Sequence, residues 1–79
     1  MKILIVEDSE IYKKLLERYL KKNLVFVECK CISTFNELKN INEEFYLYLV
    51  DFILPDAEGE HIKYLIEQKK DVIVLTQFE

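Results

Sequence analysis

Glycine and proline are nearly missing from this sequence, with one of each, and tryptophan is absent. Flexible linkers, low-complexity tracts and disordered tails are rich in small and structure-breaking residues, so none of those classes fits. No apolar run is long and charge-free enough to span a membrane. The opening segment, MKILIVEDSE, meets acids after six residues and reads as a strand rather than an export signal. Basic charge is in the minority: 11 Lys and Arg stand against 15 Asp and Glu, a net charge of -4. That argues against nucleic acid or an anionic membrane as a direct partner, because a phosphate surface requires a basic footprint.

One histidine and two cysteines narrow the chemistry further. Cys29 and Cys31 form a C-x-C with no second pair, and His61 lies far along the chain, which argues against zinc. On a strand the two thiols share a face. They are expected as reduced, mostly structural thiols of a cytosolic protein. His61 sits in a helical stretch with apolar neighbours and is expected at the surface or half-buried. No Ser/His/Asp or Cys/His catalytic set is therefore credible. Neither G-x-x-x-x-G-K-[ST] nor G-x-G-x-x-G occurs, which removes those two nucleotide-binding loops.

What is present suits one small domain, residues 1–79, with 51% hydrophobic and 33% charged residues. At this size a core only just suffices. KILIV at residues 2–6 is a near-continuous apolar run, as in a strand covered on both faces. Over residues 10–22 the period changes. Ile11, Tyr12, Leu15, Leu16, Tyr19 and Leu20 make an apolar helical stripe against Glu10, Lys13, Lys14, Glu17, Arg18 and Lys21. Ser9 or Asp8 can cap that helix. Residues 25–29, VFVEC, return to strand character. Thr34 with Glu37 matches a capping box, and Phe35, Leu38 and Ile41 face inward from a short second helix. FYLYLV at residues 45–50 reads as a strand ending at Asp51. FILPDAEG is a loop punctuated by Pro55 and Gly59. A third helix over residues 60–69 packs through Ile62, Leu65 and Ile66, and VIVL at residues 72–75 is a fourth strand ending at Thr76. This β-α-β-α-β-α-β alternation implies a parallel sheet with helices on both faces and right-handed crossovers.

In such a sheet Glu7-Asp8, Asp51 and Thr76 all lie at the carboxyl edge, where ligands gather. If the first and third strands are neighbours, three carboxylates meet in one shallow pocket. They repel unless a cation sits among them. Mg²⁺ takes oxygen ligands and keeps several waters, which suits a site with few protein ligands. An ion there can bring in a phosphoryl donor and leave one carboxylate free to attack phosphorus, with the Thr76 hydroxyl on a phosphoryl oxygen. Acids at strand ends are also common simply because loops are solvated.

At these residues the sequence resembles the receiver domain of bacterial two-component response regulators. ILIVEDS resembles the family's opening strand with its acidic pair. LVDFILPDAEG resembles the segment around the phosphoacceptor, with its D-x-x-L-P-D-x-x-G pattern. VIVLT resembles the fourth strand with its Thr or Ser. Asp8 and Asp51 are 43 residues apart, close to the family spacing. The resemblance implies a flavodoxin-like open parallel sheet of order 2-1-3-4. It implies that Asp51 accepts a phosphoryl group from a histidine kinase or a histidine phosphotransfer protein. Mg²⁺ would be held by Asp8, by Glu7, by Asp51 and by the backbone carbonyl of Ile53. Thr76 would contact the phosphoryl oxygen, and Pro55 and Gly59 would shape the following loop. The module would be cytoplasmic and not itself an enzyme, a switch whose populations shift on phosphorylation.

Several departures from the family pattern carry expectations of their own. The interval from Asp51 to Thr76 is 25 residues, a few shorter than usual, so the third helix or its exit is expected to be trimmed. Gln77 follows Thr76 where the family often has a small residue. Ile53 and Phe78 occupy positions where the family tunes hydrolysis, and two apolar groups there imply slow dephosphorylation. A receiver of this kind continues with a fourth helix, a fifth strand bearing a Lys, and a fifth helix. The sequence to Glu79 has none of these, and Lys69 and Lys70 precede the fourth strand at the far end of the sheet. The chain is therefore expected to be a portion of a longer protein with an effector domain. Its bare fourth strand and uncovered sheet face are expected to invite self-association. The alternative is a receiver-like interaction module that is not phosphorylated. A hydrolase of the aspartyl-phosphate type ranks lower, because the position two past Asp51 is Ile53 rather than an acid.

Overall fold

The structure, a computed structural model, describes residues 1–76. In chain order its elements are β1 (Lys2–Val6), α1 (Glu10–Asn23), β2 (Glu28–Ile32), α2 (Phe35–Lys39), β3 (Leu47–Asp51), β4 (Ile53–Leu54), β5 (Ala57–Glu58), α3 (Glu60–Glu67) and β6 (Val72–Leu75). The four longer strands form one parallel sheet in the order β2-β1-β3-β6. This is the 2-1-3-4 order expected, counting those strands alone. The pair β4 and β5 is a small antiparallel hairpin within the segment expected as a loop.

The apolar run of β1 is explained by its central place. Ile3, Leu4, Ile5 and Val6 are all fully buried, because both faces of the strand are covered. Leu4, Val6, Ile32, Tyr48 and Val50 pack on one face with Leu38 of α2, Leu65 of α3 and Leu54 of the hairpin. Ile3, Ile5 and Leu49 pack on the other with Leu16 and Leu20 of α1. The two hydrophobic clusters thus follow the period of two along each strand.

Three local readings need correction. Strand β2 starts at Glu28, not at Val25: Lys2 pairs with Glu28 and Val6 with Ile32. Leu24 caps α1 and Phe26 takes a left-handed backbone (φ 59°), so the strand-like letters VF are spent on the reversal, exposed. On α1 only half of the apolar stripe is covered. Leu16 and Leu20 pack on the sheet, while Ile11, Leu15 and Tyr19 are exposed and Lys13, assigned to the charged face, is buried. The Lys13 ammonium stays solvated by polar partners, donating to Ser33 Oγ at 2.7 Å and pairing with Glu10 at 2.8 Å. On α3 the inward row is His61 and Leu65, and Ile66 is exposed. His61 is therefore fully buried, not a surface or half-buried residue.

Caps and turns are built as the letters suggest. Ser9 caps α1, accepting from the Tyr12 N–H, which leaves the Asp8 carboxylate free of that duty. Thr34 accepts from the Glu37 N–H while Glu37 reaches back to the Ser33 N–H and the Thr34 hydroxyl. Gly59 opens α3 at φ 103°, a conformation reserved for glycine, with the Phe52 ring against the place a Cβ would occupy.

Candidate functional site

The carboxyl edge of the sheet collects the acidic residues from two adjacent strands. Glu7 follows β1 and its N–H continues the ladder to the Ile32 carbonyl at 3.0 Å. Asp8 is the next residue, before the Ser9 cap. Asp51 ends β3, one register step beyond the Val6–Val50 pair. Carboxylate oxygens of Glu7, Asp8 and Asp51 lie within 4.8 Å of one another. Glu7 is buried, Asp51 half-buried and Asp8 exposed, so the cluster runs from the protein interior out to water.

The electrostatics of the trio are unresolved from within. Burial raises the Glu7 carboxyl to about 7 against the opposing Ser9 N–H bond, and the neighbouring charges of Asp51 and Asp8 add to the rise. One Glu7 oxygen accepts from the Ser9 N–H at 3.2 Å, while the other, Oε2, is buried with no hydrogen-bond partner among the described residues. Nor does any of the three acids form an ion pair with a Lys or Arg there. Lys70 is instead paired with Glu44, at 2.7 Å and before β6. A bare buried carboxylate oxygen facing two further acids fits a hard, oxygen-seeking cation such as Mg²⁺.

The remaining candidates stand around this cluster. Thr76 is exposed and follows Leu75, which pairs with Asp51, so it shares the edge. Ile53 is 59% exposed in β4. Gln77 and Phe78 lie outside the described residues. Cys29 and Cys31 are free thiols on β2, and burial raises both above the ordinary thiol value, so neither is an activated nucleophile.

Four parallel strands in this order, three helices and an acidic trio at the strand ends make a specific combination. No protein-family profile and no curated protein sequence matches the chain. Solved structures do. The MaeR response regulator bound to beryllium trifluoride superposes with a TM-score of 0.86 at 27% identity, covering 100% of this chain and 69% of that one. A MaeR mutant with an Asp-to-Ala substitution, bound to sulfate, gives 0.87 at 28% identity, covering 99% and 68%. The chain has the response-regulator receiver fold. The acidic trio resembles the Mg²⁺ site of receiver domains.

Two residues that the sequence does not single out act on the chain around Asp51. Asp56, read only as part of a loop, accepts from the Phe35 N–H at 2.8 Å and the Asn36 N–H at 2.9 Å, so the loop after Asp51 caps α2. These bonds hold its carboxyl below the ordinary carboxylate range. His61 Nε2 lies 2.6 Å from the Asp51 carbonyl oxygen. The spacing of four to Leu65 was the available signal, since it places His61 on the same helical row. The partnership of Asp56 with α2 spans 20 residues and leaves no local trace.

Proposed function

We propose that this chain is the phosphoacceptor receiver of a two-component system, in which Asp51 takes a phosphoryl group from a phosphohistidine donor. The observation that carries the reading is the convergence of Glu7, Asp8 and Asp51 within 4.8 Å, with a buried Glu7 oxygen left unpaired. In the reaction an Asp51 oxygen forms a bond to phosphorus as the bond from phosphorus to the donor's imidazole nitrogen breaks. Glu7, Asp8, Asp51 and the Ile53 carbonyl are the proposed Mg²⁺ ligands. When bound, the ion neutralises charge on the transferring phosphoryl group. Thr76 donates its hydroxyl to a phosphoryl oxygen. The donor is a histidine kinase or a histidine phosphotransfer protein, the setting is the cytoplasm, and residues 1–79 act with an effector domain of the full-length chain.

Treating the protein with a small-molecule phosphodonor and Mg²⁺, then recording intact mass, tests this. One phosphoryl adduct is expected, lost in Asp51→Asn and on removal of Mg²⁺. A second reading, an interaction module that is not phosphorylated, is favoured by the absence of any Lys or Arg ion pair to the trio among the described residues. Mg²⁺ binding without any adduct would support that second reading.

A further inference from the structure

The Asp51–Phe52 peptide is held from both of its ends. Its N–H donates to the Leu75 carbonyl of β6 at 3.2 Å. Its carbonyl receives His61 Nε2 at 2.6 Å. A carbonyl can only accept, so Nε2 carries the proton. His61 is 0% exposed, and its second nitrogen, Nδ1, is buried without a partner among the described residues. A buried nitrogen with no partner is costly, and an aliphatic side chain such as that of Leu65, one turn on, would fill a core position without that cost. Packing alone therefore does not account for histidine here. What histidine adds is a single directed bond to the backbone of Asp51. The ring is also set by its neighbour Phe35, with centroids 6.0 Å apart and planes at 55°. The Phe35 N–H is in turn held by Asp56.

We propose that His61 is a positioning residue for the acidic cluster, fixing the Asp51–Phe52 peptide and with it the course of the chain to the Ile53 carbonyl. The proposal rests on the reading of the cluster as a cation site. Rotation of that peptide changes the backbone angles on either side of it. Both the Asp51 carboxylate and the carbonyl two residues on then lose their fixed relation to Glu7 and Asp8. Groups that orient ligands in this way commonly set metal affinity without touching the metal.

The test compares Mg²⁺ affinity in the parent protein, His61→Leu and His61→Gln, since glutamine can restore an N–H near the place of Nε2. His61→Leu is expected to weaken Mg²⁺ at least about ten-fold, and His61→Gln to stay within about three-fold of the parent. Equal affinity in the parent and His61→Leu would overturn the proposal. So would equal loss in both variants, which is the mark of a merely structural role. Should the variants not fold, NMR of the parent decides: the His61 Nε2–H and Phe52 N–H signals must move on Mg²⁺ saturation, and unmoved signals overturn the proposal. If the parent takes up no Mg²⁺, the cation reading fails on its own. Positioning is then judged by Phe52 amide exchange, which must quicken in His61→Leu and return towards the parent in His61→Gln.

Discussion

At Glu7 burial and charge work against each other. The side chain is 1% exposed, and its carboxyl is raised from 4.5 to about 7. A raised carboxyl means that the folded state holds a proton the unfolded chain has already released. Its contribution to stability is therefore complete below about pH 4.5 and is lost progressively as the pH rises to about 7. Without divalent cations that loss is on the order of 3 kcal/mol. Glu7→Gln should abolish it, leaving the variant about 3 kcal/mol more stable than the parent at pH 8 and much less altered at pH 5. Urea melts at the two pH values in a chelator check this. Added Mg²⁺ should stabilise the parent at pH 8 more than the variant, which keeps Asp8 and Asp51 but has lost the buried carboxylate that the ion would relieve. The acids themselves were legible in the sequence because each closes an apolar run abruptly. Burial was not: Glu7 and Asp8 are adjacent letters, and only the ladder bond from Glu7 to Ile32 turns one inward and leaves the other in water.

Among the elements, α2 is the one held from elsewhere. It has five residues, too few to persist alone. Its first turn takes a hydroxyl bond from Thr34 and two carboxylate bonds from Asp56. Asp56→Ala should lower Tm by about 5 °C, with Asp56→Asn between it and the parent, as thermal melts followed by circular dichroism would record. The Asp56 carboxyl lies below its ordinary value. Its share of stability is thus present above the usual carboxylate range and lost in acid, so the gap between parent and Asp56→Ala should close as the pH falls. Elements were read correctly where their letters face a packed surface on both sides, as in β1 and β3. They were misread where the letters answer to a turn. VFV has strand composition, yet Phe26 is needed in a left-handed turn before β2, whose own letters, ECKCI, are polar because it is an edge strand. On α3 the inward Ile62 and Leu65 were legible, while Ile66 is exposed and His61 is buried instead, because a histidine bonded to a backbone carbonyl reads as a polar position.

On the scale of the molecule, the two sheet faces are unequally covered. One carries α2, α3 and the hairpin, the other α1 alone among the described residues. Beside α1 the side chains of Ile11, Leu15 and Tyr19 are exposed, and β6, the outer strand, leaves Ile73 and Val74 at 50% and 42% exposure. An apolar outer strand with open backbone groups invites a second chain. The protein should show concentration-dependent association in sedimentation velocity. Val74→Lys should weaken that association about ten-fold without altering Mg²⁺ uptake. A parallel sheet with helices on both faces was legible from the alternation of elements, whereas its strand order came from the resemblance to receivers, because alternation alone does not say which strands are neighbours. The hairpin was not legible, since two-residue strands have no period to read.

That hairpin has a bearing on how the molecule can be engineered. Its tip, Pro55-Asp56, is exposed, the kind of place where a reporter or an epitope is usually spliced in. Here the tip is also the far anchor of α2, by bonds of 2.8 and 2.9 Å. Lengthening it would release a helix whose own sequence had not been touched, and with it Phe35, the neighbour that sets the His61 ring.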